Sequence, residues 1–174
     1  PQQVEGEYVA LHRPNPNSRF SPPQIWIARS PDLLHWGGHQ CLHRGQSSWE
    51  ADRVGGGTPP ILIDEGWLHL YHGVATHFLG SNIYQAGVVL LDVEDPSRVI
   101  ARGAFNILEP REPWELAGQV GNVVFPSGMI VEKVDGEGFA ENDSPVRVYY
   151  GAADTVVGLA TTTIAELLED ARFE

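Results

Sequence analysis

Gly66-Trp67-Leu68-His69-Leu70-Tyr71-His72 is the stretch on which the fold turns. Its aromatic and apolar residues favour a pleated surface, and Asp64-Glu65-Gly66 before it reads as a tight turn. The same shape occurs earlier as Gly6-Glu7-Tyr8-Val9-Ala10-Leu11-His12. It returns more loosely as Val146-Arg147-Val148-Tyr149-Tyr150-Gly151, so the copies are spaced 60 and 80 residues apart. A second β-rich run follows each: Gln24-Ile25-Trp26-Ile27-Ala28, Tyr84-Gln85-Ala86-Gly87-Val88 and Val156-Val157-Gly158-Leu159-Ala160. A unit of this length holding one four-stranded sheet points to propeller blades with long loops.

Outward from these repeats, Gly, Pro, Asn and Asp bound one short β-rich run after another. Strands are expected over residues 7–12, 24–29, 61–63, 67–72, 86–92, 99–101, 127–133, 146–150 and 156–161. One helix is expected, over 164–172. Thr162 or Thr163 caps it, Glu166 sits at the capping-box position for Thr163, and Ile164, Leu167, Leu168 and Ala171 form its apolar stripe. The fold class is therefore all-β, with one short C-terminal helix. Three units fill the 174 residues, whereas closed propellers need about 4–8 blades. The opening Pro1-Gln2-Gln3 reads like the middle of a protein. The expectation is one partial propeller domain over 1–174, a fragment whose N-terminal blades lie upstream.

A net charge of −12 argues against a nucleic-acid partner, whose binding surface is basic. It leaves room for an anionic substrate held by a few arginines. The single cysteine, Cys41, cannot form an intrachain disulfide, which fits a cytoplasmic location. No apolar run approaches the roughly 20 residues of a membrane span. The seven histidines show no metal-ligand spacing, because His69 and His72, three apart on a strand, face opposite sides. No metal site is expected.

Ser30-Pro31-Asp32-Leu33-Leu34-His35-Trp36 is the most diagnostic local string: Asp32 would cap a turn while Leu and Trp pack between blades. It speaks to fold, not to catalysis. Together with Tyr8–Pro14 (YVALHRP), Ile25–Leu33, Asp52–Ile61 (DRVGGGTPPI), Gly66–Val74 (GWLHLYHGV), Ala86–Asp92 and Tyr149–Asp154 (YYGAAD), it makes the chain resemble glycoside hydrolase family 130, the β-mannoside phosphorylases and related hydrolases. That resemblance runs nearly end to end and implies a five-bladed β-propeller, of which about three blades are present. The family's general acid, an aspartate, is expected upstream, so no catalytic residue is assigned in this chain and the fragment alone is expected to be inactive.

The resemblance also assigns roles. Arg13, in His-Arg-Pro, matches a phosphate-binding arginine; an isolated arginine is more often a surface or inter-blade ion pair. Arg53 stands where family members often carry a phosphate-binding lysine, ahead of Gly55-Gly56-Gly57, which alone reads as a flexible turn. His72 joins the same pocket, although a lone histidine there is more often satisfied between blades. Tyr84 could add a hydroxyl. Asp154 matches an aspartate that bonds sugar hydroxyls, with turn capping as the equally good local reading. His43, and less strongly His39, Trp49 and Trp114, are sugar-contact candidates that packing explains as well.

The implied reaction is inverting phosphorolysis of a β-mannoside to α-mannose 1-phosphate. Inorganic phosphate is the co-substrate and no cofactor is needed. Phosphate is its own nucleophile, whereas an inverting hydrolase needs a second carboxylate to activate water. Retention of Arg13, Arg53 and His72 favours the first. The alternatives are a hydrolase of the same family and a non-catalytic carbohydrate-binding propeller module. Expected partners are a β-mannoside disaccharide or oligosaccharide, phosphate and, as is common in the family, further copies of the chain.

Overall fold

A computed structural model describes residues 3–15, 22–46, 48–78 and 80–173. The elements in order are β1 (Gln3–Val4), β2 (Glu7–His12), β3 (Ile25–Ser30), β4 (Gly37–His43), a 3-10 turn (Ser48–Glu50), β5 (Arg53–Gly56), β6 (Ile61–Ile63), β7 (Gly66–Thr76) and β8 (Asn82–Leu91). They continue with β9 (Val99–Arg102), α1 (Pro113–Leu116), β10 (Val124–Val131), β11 (Pro145–Ala152), β12 (Val156–Thr163) and α2 (Ile164–Arg172). These strands build three antiparallel sheets: β1-β2-β3-β4, then β5-β7-β8-β9 with β6 also on β7, then β10-β11-β12. The three sheets do not close into a ring. The repeats seen in the sequence are the hairpins β2–β3, β7–β8 and β11–β12, one per sheet.

The second sheet is buried on both faces, and strand alternation assigns its residues to two cores. From β7 and β8, Leu68, Leu70, Val88 and Leu90 meet Val146 and Val148 of the third sheet and Ile164, Leu167, Leu168 and Ala171 of α2. On the other face Tyr71, Val89 and Leu91 pack with Val54, Trp49 and Ile25. Thr163 is the cap of α2. Its hydroxyl accepts from the Glu166 amide at 3.2 Å while the Glu166 carboxylate accepts from the Thr163 amide at 2.9 Å.

Several expectations change. The β7–β8 hairpin is longer than its β-rich runs, in register from Trp67↔Leu91 to Thr76↔Asn82, and carries Gly73 and Gly87 inside it. Those glycines are packing residues: a Cβ on either would come within 2.4 Å of the Trp49 ring. Of the glycine-rich stretch read as a turn, Gly55 and Gly56 belong to strand β5, and Gly55 lies directly across from His72. A second helix, the single turn α1, joins the one expected; Pro113 starts it and Glu112 and Glu115 form a reciprocal cap. In the Ser30–Trp36 turn Asp32 does accept from the amides of Leu34 and His35, at 2.9 and 2.8 Å. Leu33 and Trp36 are 44% and 38% exposed, not packed between sheets, because the Trp36 indole folds back to donate to the Leu33 carbonyl of its own turn.

Candidate functional site

Register dictates which side chains share a face of the second sheet. Arg53 pairs with Val74, and Val74 with Tyr84; one row further, Gly55 pairs with His72, and His72 with Ala86. Paired residues point the same way and alternate rows repeat it, so Arg53, His72 and Tyr84 project together. Small neighbours leave space for the imidazole, and a Cβ at Gly55 would meet His72 Cε1 at 2.4 Å and Nε2 at 2.7 Å. Arg13, just past the end of β2, reaches in from the first sheet and lays its Cδ 3.1 Å from that same Cβ position. From the third sheet Phe125 of β10 covers the imidazole, ring centroids 4.3 Å apart.

The polar contacts knit these residues together. Arg53 Nη2 donates to the Tyr84 hydroxyl at 2.7 Å, with its guanidinium carbon 5.4 Å from the Tyr84 ring centroid. Arg13 Nη1 lies 3.4 Å from His72 Nε2, and His72 Nδ1 lies 2.8 Å from the Gly56 carbonyl. Burial pushes the imidazole down to about pKa 4. The Gly56 carbonyl opposes that shift, and the charges of Arg13 and Arg53 add to it. Among the described residues neither guanidinium is ion-paired with a carboxylate. Two cations, a hydroxyl and a neutral imidazole thus meet where three sheets approach one another, an arrangement suited to an anion.

Other candidates lie elsewhere. Asp154 sits in the β11–β12 turn, exposed, at φ +51, and its carboxylate forms no hydrogen bond or ion pair among the described residues. Its neighbour Ala153 donates to the Val123 carbonyl at 3.1 Å, and Tyr84 donates to the adjacent Asn122 carbonyl at 2.9 Å. His43 is a correction. It is buried on the opposite face of the second sheet, edge-on to Tyr71 at 4.7 Å, so it has no surface to offer a sugar. Burial, with Arg102 and His69 nearby, drives it down to about pKa 3. Trp49 is likewise core, its indole donating to the Ala104 carbonyl at 3.2 Å. His39 is exposed beside His12 on the first sheet, and Trp114 is 49% exposed on α1.

Sequence reasoning missed Phe125 and the Gly56 carbonyl. It also missed a buried clasp beneath the site, in which Glu50 binds Arg102 Nη2 at 2.5 Å and the Tyr71 hydroxyl at 3.0 Å. Arg102 also donates from Nε to the Tyr71 oxygen at 3.1 Å and from Nη1 to the Arg44 carbonyl at 2.7 Å. The alternation of Tyr71 with His72 on one strand was the available signal for a second polar cluster on the reverse face. Among the described residues no group of three metal-ligating side chains is found. No helix among them is long and apolar enough to cross a membrane.

The profile of the β-1,4-mannooligosaccharide phosphorylase family, glycoside hydrolase family 130, matches residues 1–172. The chain belongs to that family. Its family 130 relatives include a 1,2-β-oligomannan phosphorylase of Thermoanaerobacter sp. (strain X514), 42% identical over 96% of this chain and 50% of the relative. A β-1,4-mannooligosaccharide phosphorylase of Ruminococcus albus is 33% identical over 97% of this chain and 48% of its own length. Among solved structures, β-1,2-mannobiose phosphorylase from Listeria innocua, in complex with β-1,2-mannobiose, superimposes with a TM-score of 0.84 at 40% identity. That match covers 98% of this chain and 44% of the other. The chain spans about half the length of the relatives it matches. Its three open sheets are part of the five-bladed propeller of family 130.

Proposed function

We propose that the protein containing this chain cleaves β-mannosides by inverting phosphorolysis, and that Arg13, Arg53, His72 and Tyr84 hold the attacking phosphate. The observation that carries this reading is the convergence of two guanidiniums, unneutralised by any described carboxylate, with Tyr84 and His72. Relatives named as phosphorylases of mannosides support the substrate class and the reaction, although similar solved structures also include proteins named as glycoside hydrolases. In the reaction a phosphate oxygen bonds to mannosyl C1 as the bond from C1 to the leaving sugar oxygen breaks. The cradle fixes the phosphate on the face opposite the leaving group, which inverts the anomeric centre to α. The proton for the leaving oxygen comes from a carboxylic acid that these four residues do not include. Asp154 is the candidate for the mannosyl hydroxyls, given its place beside the Asn122–Val123 segment that also borders Tyr84.

The relatives' names span β-1,2 and β-1,4 linkages. What they share, a mannosyl group and phosphate, is the part of the chemistry this pocket would serve. No cofactor is required by the proposed step. A cytoplasmic location agrees with the lone cysteine, and self-association of the full-length protein is the expectation for size-exclusion chromatography. The test of the reaction is incubation of the full-length protein with β-mannobiose, with and without inorganic phosphate, followed by NMR. Phosphate-dependent appearance of α-mannose 1-phosphate is the expected result. Release of free mannose at a rate indifferent to phosphate overturns the proposal.

A further inference from the structure

We infer that the pocket selects a tetrahedral oxyanion that still carries a proton, phosphate or arsenate over sulfate, because His72 Nε2 faces the anion as a hydrogen-bond acceptor. This rests on the phosphate-site reading above and adds the identity of the group that discriminates. The argument is one of donors and acceptors. A carbonyl oxygen only accepts, so His72 Nδ1, 2.8 Å from the Gly56 carbonyl, bears the hydrogen. A guanidinium only donates, so Nε2, 3.4 Å from Arg13 Nη1, is the bare nitrogen. Both contacts require the same neutral tautomer, and the depressed basicity of the buried ring agrees with it.

Among the described residues Nε2 has one polar partner, the Arg13 guanidinium, which turns toward the anion on binding. Phe125 covers the ring, Gly55 presses against Cε1 and Nε2, and His69 lies on the reverse face of the same strand. The Tyr84 hydroxyl accepts from Arg53, so its own proton is free to point at a ligand. An entering anion therefore meets donors from Arg13, Arg53 and Tyr84 and one acceptor. When Arg13 turns its N–H groups to the anion, Nε2 needs a new proton. Near neutral pH inorganic phosphate and arsenate keep at least one, and sulfate has none. A sulfate oxygen would set lone pair against lone pair and strand a buried acceptor, which weakens binding by about ten- to a hundred-fold.

Isothermal titration of the full-length protein with inorganic phosphate, arsenate and sulfate near neutral pH reads this directly. Phosphate and arsenate are expected to bind about ten- to a hundred-fold more tightly than sulfate. Equal affinities overturn the inference while leaving an anion site intact; no binding of any of the three overturns the phosphorolysis reading itself. His72→Gln, whose amide can turn an N–H toward the anion, is expected to narrow the gap, chiefly by a gain for sulfate. An unchanged gap refutes the role of Nε2. Should that variant not fold, side-chain 15N shifts of His72 in the phosphate-bound wild-type protein decide. A protonated Nδ1 and bare Nε2 are expected, and a protonated Nε2 contradicts the assignment.

Discussion

Replacing Gly55 with alanine tests the geometry of the pocket at its tightest point. Gly55 does not occupy the left-handed region, so its backbone accepts an alanine and any damage comes from the added methyl. That methyl would lie 2.4 Å from His72 Cε1 and 2.7 Å from Nε2, where ordinary contact begins near 3.4 Å. The ring must therefore retreat by about 1 Å, against the hydrogen bond to Gly56 and the stack on Phe125. Overpacking of this kind costs about 1–3 kcal/mol. Removing glycine's freedom from the unfolded chain returns about 0.4–1 kcal/mol, so a net loss of about 1–2 kcal/mol is expected from urea unfolding. The functional loss should be larger, because a misplacement of about 1 Å in a site costs up to about a hundred-fold in rate. Initial rates against phosphate concentration in the full-length enzyme should show kcat/KM reduced about 10- to 100-fold. Gly56→Ala is the comparison: a Cβ there meets nothing within 4 Å and the carbonyl that orients His72 is retained. Equal effects of the two substitutions, or a Gly55→Ala enzyme within about twofold of wild type, would refute the reasoning.

Other predictions follow from the same contacts. Tyr84→Phe removes the hydroxyl that accepts from Arg53; phosphate affinity by calorimetry should fall by a few-fold, for about 1 kcal/mol, with the unfolding midpoint nearly unchanged. Glu50→Ala leaves Arg102 buried without its carboxylate, and should cost about 3–5 kcal/mol in denaturant titration. His43, His69 and His72 all have folded-state values below the ordinary 6.5, at about 3, 4 and 4. The unfolded chain therefore binds more protons over that window, and the stability they contribute is fully present above about pH 6.5 and lost as pH falls through about 4 for His69 and His72 and about 3 for His43. His43→Phe should flatten that slope at little cost near neutral pH, since neither ring nitrogen of His43 makes a hydrogen bond of good geometry.

Strand hairpins were legible wherever aromatic and β-branched or other apolar residues dominated a short run, as in 67–72 and 146–150, and so was α2, because its cap and stripe are local signals. What hid the rest was glycine. Gly55 and Gly73 look like chain breaks, yet each is a strand residue kept small by a ring against it, His72 at Gly55 and Trp49 at Gly73. The convergence of Arg13 with Arg53, His72 and Tyr84 came from resemblance, since local pattern cannot bring residues 13 and 72 together. Trp49 and His43 stay open between sugar contact and packing for the converse reason: an aromatic residue has the same appearance in sequence whether a sugar or a sheet lies across it, and here both are buried against the sheet.

Phe125 of the third sheet and Arg13, just past β2 of the first, both meet the His72 ring of β7, and this has a mechanical meaning. On the phosphate-site proposal, an anion seated among them acts as a keystone, adding to the backbone hydrogen bonds that already join the sheets, such as Val54 to the Pro23 carbonyl and Tyr84 to the Asn122 carbonyl. Its binding free energy is then also cohesion between neighbouring sheets, amounting to about 2.7 kcal/mol at a hundred times the dissociation constant. On that proposal, a cell well supplied with phosphate would hold this protein in its sturdier form, and scarcity of that anion would loosen it.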